Sequence, residues 1–254
     1  MDFDFKNHIL HHMNDTYQWH LPFPFVPPIN LPEPITLHAL MLLFGAFLVI
    51  LTFCFIYRKN DRVPRGFTNL LESLIIFIRD DIAIGCLGEE EGPRFTPYLC
   101  SLFFFILILN VLGLIPIFAP ATSNINITGA LASVTFIFMV FGAIRKNGFK
   151  GFLKTFVPSG MPLPILFIVV PLEFMGLFIK SFALMIRLFA NMLGGHIAIA
   201  SLLGLIIVLG IYTLPILLLA VFIYMLEILV VFIQAYVFTF LSAIFIAQTF
   251  HPEH

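Results

Sequence analysis

Two apolar runs near the end of the chain limit its fold more than any other feature. Ile165 to Leu209 is apolar for about 45 residues, and after a break at Gly210 to Pro215 the chain is apolar again from Ile216 to Phe250. At 1.5 Å per residue, a continuous helix of 35 to 40 residues is roughly 50 to 60 Å long, against a hydrocarbon core of roughly 30 Å. Such a helix must tilt strongly, bend, or split into two crossings. Splitting would require a turn inside uninterrupted apolar sequence, where lipid offers no partner for the turn's backbone. The pattern therefore predicts a hairpin of two long, strongly tilted membrane helices over 163–250. With 60% hydrophobic and 11% charged residues, a water-soluble fold of this length is excluded.

Shorter apolar runs at 36–57, 98–118 and 127–144 each reach the length of one crossing. With the hairpin they make an all-α integral membrane protein of about five spans. Lys and Arg collect in cytoplasmic loops, and most of the 13 cations lie between spans one and two (Arg58, Lys59, Arg62, Arg65, Arg79, Arg94) or after span three (Arg145, Lys146, Lys150, Lys154). The loops at Ala119 to Asn126 and Gly210 to Pro215 carry none. This asymmetry places the N-terminus outside and the C-terminus in the cytoplasm. Residues 66–86 contain FTNLLESLIIFIRDDIAI, whose apolar residues recur at three and four. That period suits either an amphipathic helix on the cytoplasmic surface or packing against a neighbouring soluble subunit. The proline-rich segment LPFPFVPPINLPEPI is expected to run extended over the outer face, within an N-terminal region 1–35.

Several classes drop out on chemistry. A net charge of -1 without a basic patch excludes nucleic acid as a partner. Cys54, Cys86 and Cys100 sit at unrelated spacings in or beside apolar segments, as inert small hydrophobes do. His8, His11, His12 and His20 cluster in a polar tail with no glutamate at the spacing of a metalloprotease, so no metal site and no cofactor is expected. A self-contained secondary transporter would need a site in broken helices of paired repeats, and no internal repeat is visible.

The ionisable residues inside the apolar runs carry the functional signal, because a charge at the bilayer centre costs several kcal/mol and persists only beside a partner or a water-filled path. On the first long helix these are Glu173, Lys180 and Arg187, and on the second Glu227; His196, Asn191 and Gln234 accompany them. At about 100° per residue, Glu173, Lys180 and Asn191 fall within about 40° of Arg187. Gly176, Ala183, Ala190, Gly194, Ala198 and Ser201 flank the same stripe, so another helix can approach Arg187 closely. A guanidinium stays protonated in any such environment, so its cost must be offset by something specific. Glu227 and Gln234, seven residues apart, share a face of the second helix. His196 and Glu227 are expected to meet between the two helices, as a pair able to exchange protons near neutral pH.

The segment RLFANMLGGH, Arg187 to His196, resembles the signature of subunit a of F-type ATP synthases. The likeness extends to VPRGFTNLLE (Val63 to Glu72), to Asn110 in the second span, and to Glu227 and Gln234 in EILVVFIQAYVF. Lys180 and Glu173 also fall at matching positions. Many bacterial members carry the acid and the imidazole of Glu227 and His196 in exchanged positions, whereas mitochondrial members resemble this chain. The resemblance implies a stator subunit whose tilted hairpin wraps a ring of c subunits, each bearing a carboxylate, with peripheral-stalk b subunits and the rest of the complex as further partners. It implies two half-channels with Arg187 standing between them, and Glu227, His196, Asn191 and Gln234 as channel lining or as supports for the arginine. Glu173, Lys180 and Asn110 are secondary positions. ATP formation then belongs to other subunits, and the chain itself is no enzyme; it has no Gly-rich phosphate loop of the Walker type. The cation-rich inner loops suit a bacterial plasma membrane.

Overall fold

The computed structural model describes residues 17–19, 29–33, 36–56, 66–115, 117–154, 156–157, 163–209 and 214–250. The histidines at 8, 11, 12 and 20, the cations at 58, 59, 62 and 65, and most of the 210–215 loop lie outside these residues. Apart from a two-residue pairing of β1 (Gln18–Trp19) with β2 (Ile29–Asn30), the described structure is helical: α1 (Leu37–Leu51), α2 (Phe67–Phe77), α3 (Gly85–Leu114), α4 (Ile125–Lys154), α5 (Leu163–Leu209) and α6 (Leu214–Phe250). Among the described residues, five helical stretches are long and apolar enough to cross a membrane. The residues 163–250 form two helices of 47 and 37 residues. At 1.5 Å per residue these are about 70 and about 55 Å long.

Local chemistry sets the helix ends. The Thr36 hydroxyl accepts from the Ala39 N–H at 3.3 Å and caps α1, and α1 runs on into a π-helical turn at Thr52–Ile56. Helix α2 likewise continues through a π-helical stretch, Ile78–Ile84, into α3. Gly88 then bends the chain at φ 82°, a conformation that residues with a Cβ rarely adopt. Glu89, Glu90 and Glu91 open the helix beyond the bend, where carboxylates suit the positive end of the dipole. This helix ends at Leu114, four residues short of the 118 expected from hydropathy, because Ile115 precedes Pro116 and that position disfavours the α conformation. Helix α4 extends to Lys154, well past the apolar limit at 144, with a second bend at Gly148 (φ 71°).

The chain forms two compact units, and the long helices contribute to both. The first comprises residues 1–57, 104–127 and 188–235. Its core holds Leu37, Met41, Leu109, Ala119 and Ala121. Trp19 donates its indole N–H to the Ile117 carbonyl at 3.0 Å and lies 6.4 Å from the Phe118 ring, tying the β1 strand to the end of the second span.

The second unit comprises 58–103, 128–187 and 236–254. A buried run of hydroxyls crosses it: Tyr98 to Thr135 at 2.9 Å, Thr135 to Ser242 at 3.3 Å, and Ser242 to the Phe238 carbonyl at 2.8 Å. Ending on a carbonyl, the run leaves every hydroxyl a partner, as buried polar groups require. Lys146 stands 3.6 Å from the Glu91 carboxylate and 5.3 Å from the Phe250 ring, while Asn147 donates to the Phe250 carbonyl at 3.3 Å. These contacts fasten the end of α6 to α4.

Candidate functional site

The polar residues of the first unit gather where the last turns of α3, the middle of α5 and the middle of α6 pack together. Asn191 Nδ2 donates to Gln234 Oε1 at 2.6 Å. Further along the two antiparallel helices, His196 Nδ1 lies 3.3 Å from Glu227 Oε1. Residues near Asn191 on α5 thus meet residues near Gln234 on α6, and the chain's opposite progress brings His196 to Glu227.

Backbone carbonyls hold the imidazole. Nδ1 lies 3.0 Å from the Met192 carbonyl one turn earlier in α5, and Nε2 lies 3.0 Å from the Gly113 carbonyl. Gly113 belongs to the last turn of α3, whose carbonyls have no partner within their own helix. The next carbonyl, that of Leu114, accepts from the Tyr224 hydroxyl at 3.2 Å. These two freed acceptors at the helix end are therefore used by residues of the long hairpin.

Glu227 is 7% exposed and Gln234 3% exposed. Among the described residues, Glu227 Oε1 and Gln234 Nε2 have no hydrogen-bond partner. The first is an acceptor and the second a donor, and leaving either unmade in a dry interior costs about 1–3 kcal/mol. Both residues line one cavity, with Asn110, Leu188, Asn191, Met192, Val230 and Val231. Its free volume of about 10 Å³ has room for about one water. The carboxylate also needs backbone space: a Cβ on Gly195 would meet the Glu227 Oε1 and would lie 2.8 Å from its Cδ.

Of the other residues singled out in the sequence, Asn110 is buried in α3 and lines this cavity. Arg187 is half-buried in α5 and, among the described residues, has no ion pair or hydrogen bond. Lys180 donates to Gln248 Oε1 at 2.8 Å and stands 5.8 Å from the Phe245 ring, an α5 to α6 contact in the second unit. Glu173 is exposed. Sequence reasoning missed Gly113, Thr122, Gly195 and Tyr224. Gly195 alone carried a signal, a Gly-Gly pair just before a histidine inside an apolar helix. The others act through a helix end or a loop, which hydropathy cannot locate.

A model of the ATP synthase A chain family matches residues 39–247. The chain is similar to ATP synthase subunit a of Myxococcus xanthus, 42% identical over 268 residues that cover 94% of this chain and 85% of that protein. It is 44% identical to ATP synthase subunit a of Chloroherpeton thalassium, over 96% of this chain and 77% of that one. Against ATP synthase subunit a of Anaeromyxobacter dehalogenans it is 42% identical over 83% of its own length but spans only 56% of the relative's. With five helices able to cross a membrane and a match over most of its length, this multi-pass membrane protein belongs to the ATP synthase A chain family.

Proposed function

We propose that the chain is the stator a subunit of an F-type ATP synthase and carries protons between the two sides of a membrane and a ring of c subunits. One observation carries this reading. Arg187 lies in an apolar helix, half-exposed and, among the described residues, without an ion pair or hydrogen bond, so its offsetting charge has to come from a partner. A c-subunit carboxylate meets that need. The surface beside it is suited to close approach: a Cβ on Gly176 or on Gly194 would meet no atom within 4 Å. Helix α5 also presents much apolar surface outward, Phe167 being 85% exposed and Ile168 63%, as a helix covered by lipid or by a ring does.

In this reading the cavity at Asn110, Glu227 and Gln234 and the His196–Glu227 pair line one half-channel. Glu227 and His196 pass the proton, while Asn191 and Gln234 line the path beside them. Arg187 favours the ionised form of the arriving carboxylate, drives off its proton, and blocks direct leak between the half-channels. Lys180 and Glu173 stand nearer the cytoplasmic end. The N-terminus lies outside and the C-terminus inside a bacterial plasma membrane, with b subunits as further stator partners and catalysis of ATP formation on other subunits.

The test is ATP synthesis in membrane vesicles bearing the whole complex. Arg187→Ala should abolish it and open a passive leak; unchanged synthesis rejects the stator reading.

A further inference from the structure

The short loop after α3 is buried, which is uncommon for a connecting segment. Ala121 is 1% exposed and Thr122 is fully covered. The Thr122 hydroxyl donates to Asn110 Oδ1 at 2.8 Å, between two buried side chains. Asn110 in turn lines the cavity with Glu227 and Gln234. A primary amide has one acceptor end and one donor end, and the bond to Thr122 fixes which way the acceptor end of Asn110 points. The same logic applies across the cavity, where Asn191 occupies Gln234 Oε1 and leaves Nε2 as a buried donor without a partner. Gln234 Nε2 and Glu227 Oε1, a donor and an acceptor without a hydrogen-bond partner among the described residues, thus belong to residues that line the same cavity as Asn110.

We propose that Thr122 is a positioning residue of the ion path: its hydroxyl locks the Asn110 amide so that the NH2 group, and not the oxygen, faces the cavity that holds Glu227. A water there is then held by its oxygen, with its hydrogens free to point at the carboxylate. Without the hydroxyl the amide is free to turn, and its oxygen then faces another acceptor across the cavity. This inference rests on the proposed stator function.

The experiment uses the complete ATP synthase in inverted membrane vesicles, following ATP-driven acidification per amount of assembled chain. Thr122→Val removes the hydroxyl at nearly constant shape and should slow pumping on the order of ten-fold. Thr122→Ser keeps the hydroxyl and should keep most of the rate. Where Thr122→Val assembles poorly, Thr122→Ala, smaller and equally without a hydroxyl, carries the same expectation. In an Asn110→Ala background, Thr122→Val should add nothing, because the group it positions is gone. Normal pumping by Thr122→Val, a full further loss in the Asn110→Ala background, or failure of Thr122→Ser to rescue overturns the proposal. Should Arg187→Ala pump normally, the stator reading itself falls; should Arg187→Ala be dead while Thr122→Val is unimpaired, only the role of Thr122 falls.

Discussion

His196 Nδ1 has two oxygens beside it, Glu227 Oε1 at 3.3 Å and the Met192 carbonyl at 3.0 Å. The two side chains are thus close enough to feel each other's charge. The imidazole's position is set by the backbone of α3 and α5, and the carboxylate's by the open Cα of Gly195.

Exchanging the two, as Glu227→His with His196→Glu, should retain more ATP-driven proton pumping than Glu227→Ala alone. The acid and the imidazole remain adjacent in the double variant, whereas the single variant leaves His196 without its carboxylate. Equal inactivity of both, measured on vesicles with matched amounts of the complex, would show that the pair is not interchangeable.

Gly195→Ala places a methyl group where the Glu227 carboxyl now sits. Pumping should fall on the order of ten-fold while the complex still assembles, since one displaced side chain rather than the fold is affected. Wild-type pumping by this variant would mean that the carboxyl moves without consequence.

Arg187→Lys should fail nearly as completely as Arg187→Ala. An ammonium is more strongly hydrated than a guanidinium and loses its proton more readily when buried. ATP synthesis above about a tenth of wild type in the lysine variant would contradict a need for a permanent, delocalised charge.

The Asn191 to Gln234 bond should appear as coupling. In a double-variant cycle of Asn191→Ala and Gln234→Ala, the joint loss of pumping should be smaller than the product of the single losses, by about 1 kcal/mol. Independent effects would indicate that the 2.6 Å contact does not position Gln234.

Thr135→Val interrupts the buried hydroxyl run between Tyr98 and Ser242. It should lower resistance to thermal or detergent unfolding by about 1–3 kcal/mol and leave pumping per assembled complex unchanged, because that run lies outside the cavity. A selective loss of pumping would give the run a part in ion movement.

Hydropathy and charge placement made the membrane class, the length of the hairpin helices and the presence of a costly charge at Arg187 legible in the residues alone. Those are local, additive properties: a run either covers the hydrocarbon or does not, and a charge within it is expensive wherever its neighbours lie. Helical spacing also made the meeting of His196 with Glu227 foreseeable, since two antiparallel helices joined by a short loop have few registers. The tertiary structure alone decided that Asn191 pairs with Gln234, that the Gly113 carbonyl receives the imidazole, and that Thr122 turns inward to hold Asn110. Each of these depends on where a helix stops or a loop folds back, and so on packing between segments far apart in the chain. Periodicity describes one helix at a time, and the backbone groups freed at a helix end find their partners only when the other helices are in place.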